Sequence, residues 1–596
     1  MHLQGSRYIR NYNNNASHGE DPMRVYAQRI PSAVRLLILS TFVFSLSACN
    51  DSSSGPSDPT SVTTSEGTVT GQLVTDSNGS EMKQWLGVPY AQSTEGANRF
   101  RAPQSLEPRT DVLEATDFGD ACPQTPAQSP FAIQSSNPGS TTSEDCLNLN
   151  IYSPAEGDNH PVVVWIHGGN LDTGAGFQSS AKPDRLVKEG IVVVAINYRL
   201  GVLGYLAHPA LTATSQTSEK GSGNYGLMDQ IKALEWLQAN VAEFGGDPNN
   251  VTLVGESAGG FSIKGLMAAN DRTNGLFHRV IVQSGPYFFQ ETPTEAEQRG
   301  AGFMASLCAD DASPEAAECL RNLTLEQILT LQAGEPEFLT LQAGEPEFGS
   351  EIVQRPGVLE QTVAAALASG QFTADQVLEG SNRDEWRLFV AAEQLVSGRN
   401  SLEELLAGSS TAYRQELIRR YGSVTEANAD AVVDLYPLSS YDNADIAVSA
   451  VGTDAIFACP GFGNIAAAAQ HIPVYAYEFA DRNAPLPLPL FATGQPALGA
   501  AHATEIPYVF ASQAELEAEF SADSATLAET MVRYWAAFAR TGDPTPSDGT
   551  LPAWLPFVNQ GYQSLQAPAE NTGPFSVLSG GQSFNQARNC TLWLGG

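Results

Sequence analysis

Val251-Thr252-Leu253-Val254-Gly255-Glu256-Ser257-Ala258-Gly259-Gly260 joins a short apolar run to a serine set between glycines. The first four residues suit a strand buried on both faces. The glycines allow a turn too tight for larger neighbours, which lifts the serine hydroxyl clear of the sheet. A helix starting just beyond would favour negative charge developing beside that hydroxyl. Gly-x-Ser-x-Gly carries this meaning only between a strand and a helix, and both flanks are present here.

Working outward, the segment 224–244 is helical in pattern: Leu227, Ile231, Leu234, Leu237 and Val241 fall on one face. Gly245-Gly246-Asp247-Pro248 stops that helix. Val162-Val163-Val164-Trp165-Ile166 and Ile191-Val192-Val193-Val194-Ala195-Ile196 are continuous apolar runs, as expected of strands covered on both sides. Gln376-Val377-Leu378-Glu379 and Pro473 to Phe479 read as further strands. This alternation predicts an α/β fold, with a large, mostly parallel central sheet flanked by helices. From about Gly67 onward there is no second linker, so 67–596 is expected to be a single catalytic domain. A chain of 596 residues reaches this size when loops and helical insertions decorate one sheet.

A hydrophobic fraction of 42% rules out global disorder. The 66 acidic residues against 31 Lys+Arg leave a net charge of −35. Such a surface repels nucleic acid and anionic headgroups, so no nucleic-acid partner is expected.

The first 48 residues read as a signal region. Residues 1–22 are polar and without pattern, which points to Met23 as the true start. Arg24, Arg29 and Arg35 then lead into the apolar run Leu36 to Leu46 and the small residues Ser47-Ala48-Cys49, the layout of a secretory signal. The run is short for a membrane-spanning helix. Leu46-Ser47-Ala48-Cys49 also resembles the bacterial lipobox, whose cysteine is acylated and becomes the mature N-terminus. Residues 49–66 are expected to be a flexible linker, its Ser/Gly/Asp-rich part running from Asn50 to Asp58. The expectation is an exported protein tethered to a membrane through Cys49.

The seven cysteines fit an oxidising compartment. With Cys49 set aside, neighbours in sequence suggest Cys122–Cys146 and Cys308–Cys319, leaving Cys459–Cys590. Spacing alone leaves fifteen pairings open. Separately, Leu329 to Phe338 (LTLQAGEPEF) recurs letter for letter as Leu339 to Phe348. Two ten-residue copies fit no solenoid period, and a duplication within a surface loop is expected.

A serine nucleophile needs a base, and in α/β-hydrolases the order along the chain is Ser, acid, His. Three histidines follow Ser257: 278, 471 and 502. His278 leaves no room for an intervening strand with an acid. His471 opens a strand and so lies at the wrong end of the sheet. His502, in a Gly/Ala-rich loop past that strand, is the base by elimination. Asp384 and Glu385, in Gly380-Ser381-Asn382-Arg383-Asp384-Glu385, both qualify as the acid, and spacing does not choose between them. The acid's work is to hold the imidazole tautomer and stabilise the imidazolium. His167-Gly168-Gly169-Asn170 follows a strand, and with the N–H of Ala258 it makes a candidate oxyanion hole. One such donor typically contributes ~3 kcal/mol to transition-state stabilisation.

Taken together, these motifs resemble the type-B carboxylesterase family, which includes cholinesterases and related lipases. Glu144-Asp145-Cys146-Leu147-Asn148-Leu149-Asn150-Ile151 is similar to one family signature. The stretch from Gly223-Asn224-Tyr225-Gly226-Leu227 to Gly260 is similar to the other. The resemblance runs from about residue 65 to the C-terminus. It implies the α/β-hydrolase fold, hydrolysis of small carboxylic esters without a cofactor or metal, and a Ser257–Glu385–His502 triad. It also implies the three disulfides proposed above. A lipase acting on longer acyl chains and a non-catalytic binding relative are the alternatives; the presence of Ser, Glu and His argues against the second.

Three positions depart from the family pattern. Asn170 stands where a third Gly is usual, and its side chain is expected to crowd or recontact the acyl site. Trp386 replaces a small residue after the acid, and Ala503 replaces a common Gly after the base. Cholinesterases carry a Trp in the first disulfide loop for cation–π contact. Cys122 to Cys146 contains none, so choline esters are not the expected substrate. Pro485 to Leu490 (PLPLPL) is a candidate apolar rim.

Overall fold

The computed structural model describes residues 59–594, apart from 76–78, 125–140, 177–181, 216–219, 287–289, 334–350, 398–400, 407, 486–497, 560, 569–571 and 575–581. The expected signal region, Cys49, the tether to Asp58, most of the tandem repeat and Leu486 to Leu490 lie outside the described residues. Of the repeat, Leu329 to Ala333 close the helix Leu325–Ala333.

Strands form where the apolar runs were read. Among the described residues they are β1 Ser61–Thr64, β2 Gly67–Thr70, β3 Gln72–Thr75, β4 Glu81–Pro89, β5 Leu113–Glu114, β6 Asn148–Pro154, β7 His160–Ile166, β8 Val192–Ile196, β9 Gly246–Glu256, β10 Arg279–Gln283, β11 Gln376–Asn382, β12 Val474–Phe479, β13 Tyr562–Leu565 and β14 Gly573–Pro574. Eleven build one sheet in the order β14-β13-β12-β11-β10-β9-β7-β8-β6-β4-β3, and β1-β2-β5 form a small second sheet. The stretch from β13 to β8 is parallel throughout, and antiparallel pairs occur only towards the edges.

Two boundaries differ from expectation. β1 falls inside 49–66, the segment read as linker, because Ser61–Thr64 pairs antiparallel with Thr70–Gly67 and satisfies its backbone there. β9 begins at Gly246 rather than Val251, since Gly246 already pairs with His160 ahead of a register shift.

The continuous apolar runs are explained by burial on both faces. Along β7, Val162, Val164 and Ile166 enter one core cluster, while Val163 and Trp165 enter the other. Period-two alternation therefore sends every residue into a core. Helices Tyr225–Asn240 and Ala258–Ala268 cover the first face through Leu227, Ile231, Leu234, Ile263 and Leu266. The helix Ala522–Thr541 covers the other with Leu527, Met531, Trp535 and Phe538. Between β11 and β12 a helical excursion builds a third cluster around Trp386, Tyr413, Leu417 and Tyr421.

Register decides where the loops emerge. Glu256 pairs with Gln283, Gln283 with Gly380, and Asn382 with Phe479. The carboxyl ends of β9, β10, β11 and β12 thus lie side by side, and the segments following them share one edge of the sheet, where such folds bind ligands.

Candidate active site

Ser257 is the hinge between β9 and the helix Ala258–Ala268, with φ 54° and ψ −122°. A non-glycine residue in this region costs on the order of 1–3 kcal/mol. The packing holds it there. A Cβ on Gly259 would lie 2.0 Å from the Ile166 carbonyl oxygen, so only glycine lets the helix approach β7 this closely. Ser257 N–H donates to the Gln283 carbonyl at 2.9 Å, fixing the elbow against β10. The Ser257 side chain remains partly exposed while its surroundings are buried.

His502 meets Glu385. Nδ1 lies 2.7 Å from Glu385 Oε2, with both residues buried. Against a carboxylate Nδ1 is the protonated nitrogen, which leaves Nε2 for other work. Glu385 Oε1 accepts from Asn382 N–H at 2.6 Å. The neighbouring Asp384 points elsewhere: it accepts from Arg482 at 2.9 and 3.0 Å and lies 2.8 Å from Arg387 Nη2. It also ties down the loop before His502, through Asp384 N–H to the Ala500 carbonyl at 2.9 Å and Ala500 N–H to Oδ2 at 3.2 Å. The other two histidines lie apart from this edge. His278 precedes β10 and its Nδ1 accepts from Val251 N–H at 3.2 Å, while His471 precedes β12 and contacts the Ala368 carbonyl.

Nε2 of His502 lies 3.2 Å from Glu256 Oε1. Among the described residues no hydrogen bond joins Ser257 Oγ to His502; such contacts commonly tighten only with substrate in place. Burial disfavours the imidazolium, but Glu256 and then Glu385 outweigh it and raise His502 to about 9. Glu256 is itself pushed up to about 8, chiefly by burial. Glu505, three residues past His502, is also buried and raised, by desolvation first and by Glu385 second. Phe389 and Phe457 flank the imidazole at 5.2 and 4.9 Å between ring centres. Phe457 comes from a π-helical turn, Thr453–Ala458, of the kind often found beside functional sites.

The loop at Gly168 packs directly on the elbow, since a Cβ there would lie 2.7 Å from Glu256 Oε2. Gly169 has φ 103° and Asn170 φ 58°. The Gly169 carbonyl accepts from Asp172 and Thr173 N–H, both at 3.0 Å, and this closes the loop on itself. Among the described residues no protein acceptor meets the N–H of Gly168, Gly169 or Asn170. Ala258 is the first residue of its helix, where an N–H has no intrahelical partner. Behind the loop, Tyr198 OH donates to the His167 carbonyl at 2.7 Å and its ring stacks on the imidazole at 4.4 Å. Burial lowers His167 to about 4, so it is neutral at ordinary pH.

The three departures resolve physically. Asn170 does not reach back into the site: Nδ2 donates to Asp172 Oδ2 at 2.9 Å on the exposed side, and asparagine tolerates the left-handed backbone. Trp386 turns inward, 4.5 Å from the Phe389 ring and face-on to Gly452. Ala503 is held at φ 66°, in the conformation that glycine adopts freely. The cysteines pair as Cys122–Cys146, Cys308–Cys319 and Cys459–Cys590. Sequence reasoning did not single out Glu256, Glu505, Asn382 or Tyr198. Glu256 and Asn382 lay within quoted stretches as neighbours of the expected nucleophile and acid, and nothing local marks the contacts that any of the four makes.

The sequence profile of the carboxylesterase family matches residues 58–593. A para-nitrobenzyl esterase from Bacillus subtilis (strain 168) is 33% identical over 502 residues, covering 83% of this chain and 92% of the relative. An acylcarnitine hydrolase from Mus musculus is 33% identical over 506 residues, 81% and 82% of the two chains. An acetylcholinesterase from Bungarus fasciatus is 32% identical over 551 residues, 89% and 85%. With the nucleophile elbow, the His–Glu pair and the parallel sheet all in place across that span, the chain belongs to the carboxylesterase family.

Proposed function

We propose that this serine ester hydrolase cleaves small carboxylic esters by two-step acyl transfer, with Ser257, His502 and Glu385 as its triad. The observation that carries the assignment is the buried 2.7 Å contact between His502 and Glu385 at the sheet edge that also presents Ser257. Ser257 Oγ attacks the ester carbonyl while His502 Nε2 takes its proton. Glu385 holds the tautomer and stabilises the imidazolium. N–H groups of Gly168, Gly169, Asn170 and Ala258 receive the oxyanion, and that none of them meets a protein acceptor among the described residues suits that role. His502 returns the proton to the leaving alcohol, then activates water to release the acid.

Kinetics on a panel of chromogenic esters of graded acyl length test this. Ser257→Ala, His502→Ala and Glu385→Ala should each collapse hydrolysis in folded protein, and the losses should not add. Asp384→Ala should retain the pH dependence of the wild type. Full activity in Ser257→Ala would refute the assignment. No Trp lies between Cys122 and Cys146, so choline esters should be poor members of the panel.

The proposed setting is the bacterial cell envelope, with the domain tethered by lipidated Cys49. The support is Leu46-Ser47-Ala48-Cys49 after a signal-like run, together with six other cysteines that pair among themselves. Two or more acyl chains anchor stably where one does not. Cys49→Ser should release protein from the membrane fraction; wild type found wholly soluble with a different mature N-terminus would end the idea.

A further inference from the structure

Asn382 is the last residue of β11 and is fully buried. It touches both sides of the His–Glu pair. Its backbone N–H donates to Glu385 Oε1 at 2.6 Å, so that Glu385 offers one oxygen to Asn382 and the other to His502 Nδ1. Its side-chain amide donates to the Ala501 carbonyl at 2.7 Å, one residue before His502. The same Nδ2 donates to Glu505 Oε2, three residues after His502. Acid and base are thus gripped by one residue, the acid through the main chain and the base loop through the side chain.

This arrangement leaves something unsatisfied. Asn382 Oδ1 is buried and has no hydrogen-bond partner among the described residues. Leaving a buried acceptor unmade costs about 1–3 kcal/mol, which an apolar side chain would avoid. What asparagine offers instead is two amide hydrogens on one nitrogen, aimed at two acceptors on the base loop. Aspartate, of the same shape, would turn an acceptor towards the Ala501 carbonyl and towards Glu505. The grip continues outward: Gln283 Nε2 donates to Glu505 Oε1 at 3.2 Å, and Trp535 Nε1 donates to Gln283 Oε1 at 3.1 Å. Glu505 is thereby held beside His502 by donors from the ends of β10 and β11.

We propose that Asn382 is a positioning residue for ester hydrolysis, setting His502 against Glu385 by bonding the acid's second oxygen and the carbonyl before the base. The proposal rests on the triad assigned above. The charged groups facing His502 are Glu256 at the end of β9, Glu385 after β11 and Glu505 on its own loop. Behind Glu385, Asp384 is engaged by Arg387 and Arg482.

The test uses full-length wild type, Asn382→Asp, Asn382→Ala and Ser257→Ala with p-nitrophenyl butyrate across pH 5–10 (a range on the order of that over which His and carboxyl groups titrate in proteins). Competent sites are counted by titration with a fluorophosphonate, so that kcat is expressed per working site. Asn382→Asp should lose at least about tenfold in kcat with KM changed less than about twofold, the pattern of an interaction made in the transition state. Its acid limb should also move to higher pH, because a further carboxyl beside His502 favours the imidazolium. Asn382→Ala should lose a similar factor in kcat without that upward move, and it decides the matter if Asn382→Asp does not fold. Variants that lose competent sites but keep wild-type kcat per site, with an unmoved acid limb, would show a merely structural residue and overturn the proposal. Ser257→Ala separates the two readings. If it is inactive while the Asn382 variants are normal, only the Asn382 proposal falls; if it is active, the triad falls first.

Discussion

Glu256 stands between Ser257, the proposed nucleophile it precedes, and His502, the proposed base it faces, 3.2 Å from His502 Nε2. A general base must be neutral to accept a proton, so a His502 raised to about 9 works only as pH rises through its acid limb. Glu256 contributes the largest upward pull, and Glu256→Gln should therefore move the acid limb of kcat/KM to lower pH, by roughly one to three units. An unmoved or raised limb in the pH profile would contradict this. Ala503, at φ 66°, makes a second residue-scale prediction. Ala503→Gly relieves about 1–2 kcal/mol of left-handed strain but loosens the unfolded chain by about 0.4–1 kcal/mol. Thermal melting should show a small net stabilisation, and a clear loss would mean the conformation is not strained. At this scale the elbow was legible because strand, turn and helix are consecutive in sequence. The choice between Asp384 and Glu385 was not, because adjacent side chains part company only when Arg387 and Arg482 claim one of them and His502 the other.

The proposed oxyanion loop, His167 to Asn170, is braced from behind. Tyr198 braces the His167 carbonyl, and His167 leads directly into Gly168 and Gly169. Tyr198→Phe keeps the ring stack and removes the brace. We expect kcat to fall by about tenfold, or about 1.4 kcal/mol, with KM little changed. Affinity for a trifluoromethyl ketone transition-state analogue should fall in parallel, because analogue and transition state use the same donors. An analogue that bound as before would show that the loop holds its shape without Tyr198. Element existence was readable from apolar runs, and element ends were less so. β9 starts five residues early because Gly246 pairs with His160, and β11 runs on to Asn382 because its neighbour β12 extends to Phe479. Pairing partners far along the chain decide such ends, and periodicity does not report them.

The whole molecule carries −35, and its sequence foretold a large acidic domain without saying what that charge is for. Like charges repel in the compact state, and the Debye length falls from about 10 Å at 0.1 M salt to about 3 Å at 1 M. The melting temperature should therefore rise with sodium chloride over this range, and a fall would show that ion pairs outweigh the repulsion. The parallel sheet was legible as a whole because burial on both faces writes unbroken apolar runs, as in Val162 to Ile166. The buried acidic group around His502 was not, because Glu256, Glu385 and Glu505 meet only once β9, β11 and the loop beyond β12 are aligned. The central claim is that one serine at the end of β9 carries the acyl group. Peptide mass mapping after stoichiometric inactivation with a fluorophosphonate tests it most directly. The account predicts a single adduct on Ser257, its occupancy rising in step with the loss of ester hydrolysis. An adduct on another residue, or full hydrolysis by enzyme completely modified at Ser257, would contradict it.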